Sequence, residues 1–394
     1  MTRGSWAARA RNGSAAAATL ILALLIAGCG SGTPQRTAAT RQTPPRLPRL
    51  PQAAIGRGGS AGLDVYHADR AGDLSAVVRG DPALVYVPNS LSDTVDVISQ
   101  QTMKIVAQFA TGGLPQHVTP SYDLRTLYVD NDLGNSLTPI NPRTGAPGRP
   151  IPVEDPYNLY FTPDGRFAIV VAERLQRLDF RDPTTMRLVR SLSVPTCRGV
   201  DHMDFSADGR YAFASCEFSG SMIEVDLRTQ RLIGTLTLSH GLASPQDVKL
   251  SPDGRVLYTA DQQNGGLWEI DPLDFRVIGF LRTGAGAHGL YPSRDARVMY
   301  VSNRVAGTIS VVGFNDRRVI DTWQLPLPAS PDMGGVSADG ATLWLSGRYD
   351  AEVYAIDTRT GRLRARIKVG SGPHGLCVWP QPGRYSLGHT GILR

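Results

Sequence analysis

The sequence predicts an all-β fold, a seven-bladed β-propeller that is closed by one blade shared between its N- and C-terminal strands. An acidic turn residue recurs at intervals of 41 to 45 residues, and each is followed by a run of alternating apolar and polar residues. A four-stranded unit at this period is typical of a propeller, because each sheet buries its faces against its neighbours. The turn acids are Asp123, Asp164, Asp208, Asp253, Asp295 and Asp339.

The two ends of the repeat indicate how the ring closes. Residues from Leu84 onward supply three strands of a blade without an inner strand, whereas residues 375–379 supply an inner strand without the other three. We therefore expect both ends to share one blade, which leaves no free sheet edge. The seven alternating runs begin at Leu84, Thr126, Phe167, Tyr211, Val256, Val298 and Thr342.

The N-terminal 28 residues have the pattern of a secretory signal peptide. Three arginines precede an apolar stretch at residues 15–27 that is short for a transmembrane helix. Residues 25–29, LIAGC, resemble the lipobox of bacterial lipoproteins, which implies that Cys29 is acylated and anchors an exported protein on the outer face of the cell membrane. The alternative is an ordinary signal, cleaved or uncleaved, that contains Cys29.

The next segment, residues 29–60, comprises the lipidated cysteine and a tether rich in Pro and Arg. It has no apolar period, so we expect it to be disordered, with the propeller at residues 61–394.

The net charge of +6 comes from the N-terminal segment. Residues 1–60 contain eight Arg and no acid, so 33 basic and 35 acidic residues remain in the propeller. This balance argues against nucleic-acid binding. We expect a monomer whose partner is a cell-envelope component or a small polar ligand, with membrane contact through the lipid anchor.

Several strand ends resemble the YVTN family of β-propeller repeats. The matching residues are YVPN at 86–89 with VDVI at 95–98, YVDN at 128–131, YVSN at 300–303 and GSGPHG at 370–375. The resemblance implies the architecture but not an activity, since similar propellers serve as surface proteins, binding modules and enzyme domains. Three copies depart from the motif, at residues 172–174 (AER), 216–217 (CE) and 347–348 (GR), through drift or adaptation to a ligand.

The candidate site is the mouth of the central channel, where the inner strands begin. Each blade contributes a polar residue there, and four of the seven histidines of the chain belong to this set. We expect the loops after the second strand of each blade to reach the same mouth, bringing Asn89, Asn131, Asp261 and Asn303 with several charged residues. The alternative is a set of scaffold histidines around a water-filled funnel. The candidate ligand-binding residues are His117, Asn158, Asp201, His202, Asp247, His288, Asp332, His374, Glu173, Glu217 and Arg348.

The mixture of imidazole, carboxylate and guanidinium groups favours a cell-surface module that binds a ligand or another protein. No cofactor is assigned. A divalent metal at the mouth remains open, because imidazole with carboxylate suits zinc, although no short His-His or Cys-Cys spacing supports it. The alternative function is a metal-assisted lactonase or lyase of propeller type, for which no single catalytic residue stands out.

The cysteines other than Cys29 fall in the propeller. Cys197 and Cys216 flank a predicted hairpin and lie nearly opposite each other, so they form either a disulfide in an exported protein or two reduced buried thiols. Cys377 alternates with apolar neighbours and is interpreted as a small core residue. Residues 385–394 lie beyond the repeat, and no function is predicted for them.

Overall fold

A computed structural model describes residues 63–389 and 392–394. The predictions for residues 1–28, for the tether and for Cys29 lie outside the described residues. No helix within the described ranges is long and apolar enough to span a membrane.

The described residues form seven four-stranded antiparallel sheets, which confirms the seven-bladed all-β fold. From the channel outward, blade 1 contains β28 (Cys377–Trp379), β1 (Leu84–Asn89), β2 (Thr94–Ser99) and β3 (Lys104–Ala110). Blade 2 contains β4 (Pro115–Pro120), β5 (Leu127–Asn131), β6 (Ser136–Ile140) and β7 (Ile151–Pro152). Blade 3 contains β8 (Asn158–Phe161), β9 (Ala168–Ala172), β10 (Arg177–Arg181) and β11 (Leu188–Ser193).

The remaining four blades repeat this order. Blade 4 contains β12 (Val200–Phe205), β13 (Tyr211–Cys216), β14 (Ser221–Asp226) and β15 (Arg231–Thr237), and blade 5 contains β16 (Pro245–Leu250), β17 (Leu257–Asp261), β18 (Gly266–Asp271) and β19 (Arg276–Arg282). Blade 6 contains β20 (Ala287–Pro292), β21 (Val298–Asn303), β22 (Thr308–Gly313) and β23 (Arg318–Gln324), and blade 7 contains β24 (Pro331–Val336), β25 (Thr342–Gly347), β26 (Glu352–Asp357) and β27 (Leu363–Lys368). Two short 3₁₀ helices lie at Glu217–Ser219 and Ser239–Gly241.

The recurring turn acids close the hairpin between the first two strands of a blade. In blade 5, Ser251 Oγ donates a hydrogen bond to Asp253 Oδ1 at 2.6 Å, and the Arg255 backbone N–H donates to the same oxygen at 3.1 Å. Asp and Ser side chains that bond to nearby backbone in this way stabilise turns. The same Ser or Thr to Asp bond closes the turns at Asp123, Asp164, Asp208, Asp295 and Asp339.

The core lies between the blades rather than at one centre. One apolar cluster combines Tyr258 and Leu267 of blade 5 with Leu290 and Met299 of blade 6, and further clusters of this kind join other neighbouring blades. Full burial of each such side chain contributes about 1.5–3 kcal/mol. The inner strands are therefore completely buried, whereas the outer strand β3 is largely exposed.

The ring closes where β28 pairs with β1, with Tyr86 opposite Cys377 and Leu84 opposite Trp379. Cys377 is a buried free thiol. Residues 63–83 pass across the ends of blades 5 to 7 that carry the turn acids, where Val65 N–H bonds to Pro252 O and Gly72 N–H to Ala338 O. This end of the channel is opposite the mouth, and we call it the base.

Cys197 and Cys216 lie at the mouth side of blade 4 and are joined as a disulfide, with their Cα atoms 4.9 Å apart. Whether an oxidising compartment forms this bond stays a prediction.

Candidate functional site

The inner strands of five blades carry a β-bulge, at which two consecutive residues stand opposite one residue of the next strand. In blade 4, Val200 pairs with Cys216 and Met203 with Ala214, so Asp201 and His202 stand opposite a single residue, Ser215. A bulge of this kind re-aims side chains that a regular strand would alternate between two faces. The same shift occurs at Gln116-His117, Gln246-Asp247, His288-Gly289 and Asp332-Met333.

Serines on the neighbouring strand hold three of these bulges. Ser215 Oγ accepts a hydrogen bond from the His202 backbone N–H at 3.1 Å, and Ser302 and Ser346 accept equivalent bonds from Gly289 and Met333. Backbone groups left unpaired by a bulge need such partners when they are buried. In five blades, the polar residues predicted to lie at the start of the inner strand thus coincide with a bulge.

The asparagines of the YVTN-like motif do not line the mouth, so that expectation was wrong. Asn303 is buried and its Nδ2 donates to Thr308 Oγ1 and Ser310 Oγ, each at 3.0 Å, which ties β21 to β22. Asn89 and Asn131 make the same bonds in their blades, and Asp261 accepts a bond from Trp268 Nε1 at 2.8 Å. These amides have a structural role inside each blade.

The residue after this position is the one that reaches the rim. It is Glu173 after β9, Glu217 after β13, Arg304 after β21 and Arg348 after β25. Arg304 lies against the inner-strand residues Asp332 and His288, while Glu173, Glu217 and Arg348 are only half-buried. Glu173, Glu217 and Arg348 belong to the three segments that depart from the motif, whereas Arg304 follows an intact motif.

One side of the channel is a fully paired network around Asp332, which we call the Asp332 side. The Asp332 carboxylate accepts bonds from Arg304 Nε at 3.0 Å and from His374 Nδ1 at 2.7 Å, and His288 Nδ1 lies 3.1 Å from it. Burial, the largest single influence, would raise the pKa of Asp332, but Arg304, His288 and Arg348 together outweigh it and hold this pKa below its usual value. This carboxylate is therefore ionised and paired.

The opposite side, which we call the acidic side, gathers Glu173, Asp201 and Glu217 from blades 3 and 4. Burial raises the pKa of Asp201 well above its usual range, and the carboxylates of Glu217 and Glu173 raise it further. Burial, with the neighbouring Asp132 carboxylate, raises the pKa of Glu173 to about 7. Among the described residues, neither Glu173 nor Glu217 has a cationic group within ion-pair distance.

Beneath the acidic side lie three buried imidazoles, those of His117, His202 and His389. The rings of His117 and His389 have centroids 4.1 Å apart, and those of His117 and His202 are 5.4 Å apart. Burial lowers the pKa of His202 to about 3 and lowers those of His117 and His389 well below the usual value, so all three rings are neutral. We call this set the histidine cluster.

Two predicted site residues have mainly structural partners. Asp247 accepts a bond from Lys249 Nζ at 3.1 Å and from the Leu290 backbone N–H at 2.9 Å, so it links blade 5 to blade 6 instead of facing a ligand. Asn158 donates through Nδ2 to the Tyr160 hydroxyl at 3.2 Å and contacts His202 Nδ1 at 3.0 Å, so it orients a ring of the histidine cluster.

The sequence interpretation missed His389. The C-terminal residues form a hairpin inside the channel, with Ser386 opposite Leu393 and the Leu387 N–H bonded to Ile392 O at 2.8 Å. Leu387, Ile392 and Leu393 are buried. Three apolar residues in a tail beyond the repeat were the available signal that this segment packs against the protein.

The arrangement suits two kinds of chemistry at different depths. The acidic side carries partly exposed carboxylates that can accept hydrogen bonds from a ligand, while the Asp332 carboxylate is already paired with Arg304, His288 and His374. The deeper imidazoles offer neutral nitrogen atoms, as binding groups or as metal ligands.

Comparison with known proteins agrees with the architecture. The family model described as YNCE-like beta-propeller matches residues 69–382. Among curated proteins, none matches the chain significantly.

Three solved structures resemble the fold. A functionally unknown protein from Desulfotomaculum acetoxidans DSM 771 is 14% identical with a TM-score of 0.64, covering 75% of this chain and 98% of its own. Hydrazine synthase of Kuenenia stuttgartiensis is 17% identical with a TM-score of 0.61, covering 73% and 98%. Streptogramin B lyase is 11% identical with a TM-score of 0.56, covering 66% and 85%. At these identities the likeness shows the fold alone.

Proposed function

The chain belongs to the YNCE-like β-propeller family, and we propose that it is an exported, lipid-anchored propeller that binds a small polar ligand carrying a cationic amino group. The observation that carries this proposal is the acidic side of the mouth. Glu173, Asp201 and Glu217 lie close together there, and Glu173 and Glu217 are half-buried. In the part of the chain that the structure describes, neither glutamate forms an ion pair with a cationic side chain.

The charge balance of the mouth supports a cationic group on the ligand. Arg304 is already paired with Asp332, and Arg348 is the remaining arginine among the rim residues. An ammonium group at the acidic side would relieve the repulsion among the carboxylates and replace water as their hydrogen-bond donor. Each charged hydrogen bond of this kind contributes about 1.5–3 kcal/mol.

Export and anchoring remain part of the proposal. They rest on the signal pattern and the lipobox-like residues 25–29. Placement on the outer face of the membrane would bring the mouth to amine-bearing components of the cell envelope. Palmitate labelling of cells that express the chain, with Cys29→Ser as the control, separates a lipoprotein from an ordinary secreted protein.

The ligand proposal is tested by calorimetric titration of the purified chain with putrescine and glucosamine, with glucose and citrate as uncharged and anionic controls. We expect both amines to bind and the double change Glu173→Gln with Glu217→Gln to weaken them at least about tenfold. The matched control is Asp274→Asn with Asp316→Asn, which removes two exposed acids far from the mouth. Equal amine affinity in the two double variants would reject the site.

A second candidate is a metal-assisted lactonase or lyase. It is favoured by the histidine cluster, whose neutral imidazoles suit a Lewis-acidic ion. Lactone hydrolysis by the zinc-loaded chain that disappears on chelation would support it, and zinc-loaded chain without activity on lactones would count against the lactonase version.

A further inference from the structure

We propose that His117, His202 and His389 form a binding site for a late first-row transition-metal ion such as Zn²⁺, and that the C-terminal hairpin supplies the third ligand. Their ligand nitrogen atoms all lie within 4.8 Å of one another. The inference goes beyond the amine-binding mouth and does not depend on it.

The hydrogen bonds of His117 leave one nitrogen ready for a metal. His117 Nδ1 lies 2.8 Å from the Tyr157 carbonyl oxygen, which can only accept, so Nδ1 carries the proton. The lone pair is then on Nε2, which is buried and has no hydrogen-bond partner. A histidine that donates one ring N–H to a backbone carbonyl and presents the other nitrogen is the usual pattern of a metal ligand.

His202 differs from His117 in the position of its ring proton. Its Nδ1 lies 3.0 Å from Asn158 Nδ2, which can only donate, and 3.2 Å from the Tyr160 hydroxyl, so Nδ1 accepts and Nε2 carries the proton in the metal-free chain. Binding of an ion at Nε2 would move this proton to Nδ1, which would then donate to the Tyr160 hydroxyl in place of the bond from Asn158. The Nε2 of His202 makes no hydrogen bond, although Asp201 Oδ1 lies 3.1 Å away at an unfavourable angle. The carboxylate would therefore stand beside a bound cation and offset part of its charge.

His389 is the least satisfied of the three. Both of its ring nitrogens are buried without a hydrogen-bond partner in the described structure. Burying a polar group without a partner costs about 1–3 kcal/mol, and the cluster collects four such nitrogens in one place. If the three neutral rings only pack against each other, the cost of their unpaired nitrogens remains. One ion bound by the three imidazoles would give three of the four nitrogens a partner and so remove most of this cost.

The hairpin holds His389 in position. The Phe161 N–H bonds to Leu387 O at 2.9 Å, and the Ser386 N–H bonds to Tyr122 O at 3.1 Å. At the end of the chain, Arg394 pairs with Asp204 at 3.1 Å and stacks over the Tyr66 ring at 4.9 Å. The residues on both sides of His389 that the structure describes are thus anchored to the blades and to the base of the channel.

Two glycines make room for the rings. A Cβ on Gly375 would lie 2.0 Å from His117 Cδ2 and 2.7 Å from His389 Cε1. Gly388 has φ +139°, and a Cβ there would lie 2.4 Å from Tyr160 Cδ1. A side chain at position 375 would displace rings of the histidine cluster, and one at position 388 would push the residue before His389 away from Tyr160.

The donor set decides the class of ion. Three imidazoles suit Zn²⁺, Co²⁺, Ni²⁺ or Cu²⁺, whereas Ca²⁺ and Mg²⁺ prefer oxygen ligands. Tetrahedral Zn²⁺ with bonds of about 2.0–2.1 Å needs ligand nitrogens about 3.4 Å apart, so the rings would draw together by roughly an ångström on binding. The fourth position would face the acidic side and remain open to water or a ligand.

The test uses the full propeller with its C-terminus, purified without a polyhistidine tag and stripped with a chelator. Titration with Co²⁺ is followed by its visible absorption bands, and Zn²⁺ then competes for the site. We expect one ion per chain and an affinity at least about 100-fold lower in His389→Ala, with the equivalent loss in His117→Ala. His240→Ala, at an exposed loop histidine, serves as the matched control.

Circular dichroism of each variant shows that a loss of metal is not a loss of fold. Absence of stoichiometric binding by the unchanged chain, or equal affinity in the His389→Ala and His240→Ala variants, would overturn the site. The mouth variant Glu173→Gln with Glu217→Gln should retain the ion, so failure of amine binding and failure of metal binding are separate results.

Discussion

The two sides of the channel use equivalent repeat positions in opposite ways. Asp332 of blade 7 and Asp201 of blade 4 both occupy the first residue of the inner-strand bulge, and both are buried. Asp332 is paired with Arg304 and bonded to His374, whereas Asp201 faces other carboxylates and a neutral imidazole. The position in the repeat places a carboxylate at the channel. The side chains around it, which come largely from other strands, decide whether the carboxylate is paired with a cation.

A buried carboxylate without hydrogen-bond or ion-pair partners lowers the stability of the fold. Groups with strongly shifted pKa values are concentrated at functional sites. The Asp332 side therefore has the character of scaffold and the acidic side that of a binding surface. Three substitutions test this contrast, each measured in chelator so that the metal-free chains are compared.

The largest effect is expected for Asp332→Asn. The change keeps the size of the side chain but leaves the buried Arg304 guanidinium without its anion. Removing one partner of a buried ion pair costs about 3–5 kcal/mol, and we expect the free energy of unfolding measured in urea to fall by that amount. Asp316→Asn, at an exposed turn, should change it by less than about 0.5 kcal/mol. A loss below about 1 kcal/mol in Asp332→Asn would remove the distinction between the two sides.

An intermediate effect of opposite sign is expected for Asp201→Asn. The fold raises the pKa of the Asp201 carboxyl and so disfavours its ionised form, whereas an amide carries no such penalty, so we expect the free energy of unfolding to rise by about 1 kcal/mol at neutral pH. Urea unfolding alongside the Asp332→Asn variant gives the measurement. A destabilisation as large as that of Asp332→Asn would mean that Asp201 also holds the scaffold.

The smallest effect is expected for Glu173→Gln, and it depends on pH. The fold raises the pKa of Glu173 from 4.5 to about 7, so it favours the protonated form. The unchanged chain should lose this part of its stability as pH rises from about 4.5 to about 7, and the glutamine variant should not. We expect the variant to melt about 2 °C higher at pH 8 and at the same temperature near pH 4.5.

The groups that set this pH dependence are Asp132, Asp155 and Glu217, opposed by Arg174. Arg174 Nε lies 2.7 Å from Asp155 Oδ1, and this ion pair weakens the attraction between Arg174 and Glu173. A melting difference that is constant between pH 4.5 and pH 8 would contradict a shifted carboxyl at this position. Glu154→Gln, an exposed acid of the neighbouring loop, is the control.

The sequence alone determined the blade count and the pairing within each blade, and it predicted which positions reach the channel. The reason is that a propeller repeats local hairpins, and the turn chemistry at residues such as Ser251 and Asp253 acts over a few residues. It also indicated Cys197 and Cys216 as neighbours, because both belong to one hairpin. The sequence interpretation placed the motif asparagines at the rim, which was wrong. The asparagine side chain bonds to the next strand, and the side chain of the following residue is the one that reaches the mouth.

Only the tertiary structure decided which channel residues are satisfied and which are not. Asp332 and Asp201 look alike in the repeat. Their difference comes from Arg304, His374 and Glu173, which belong to other blades, and from Glu217, which follows another strand of blade 4. The position of His389 was equally out of reach, because the tail has no repeat partner to align with. Its place in the channel is fixed by contacts with Tyr122 and Phe161, which lie far away in the sequence. Local patterns specify strands, whereas the electrostatics of a shared channel depends on all the blades at once.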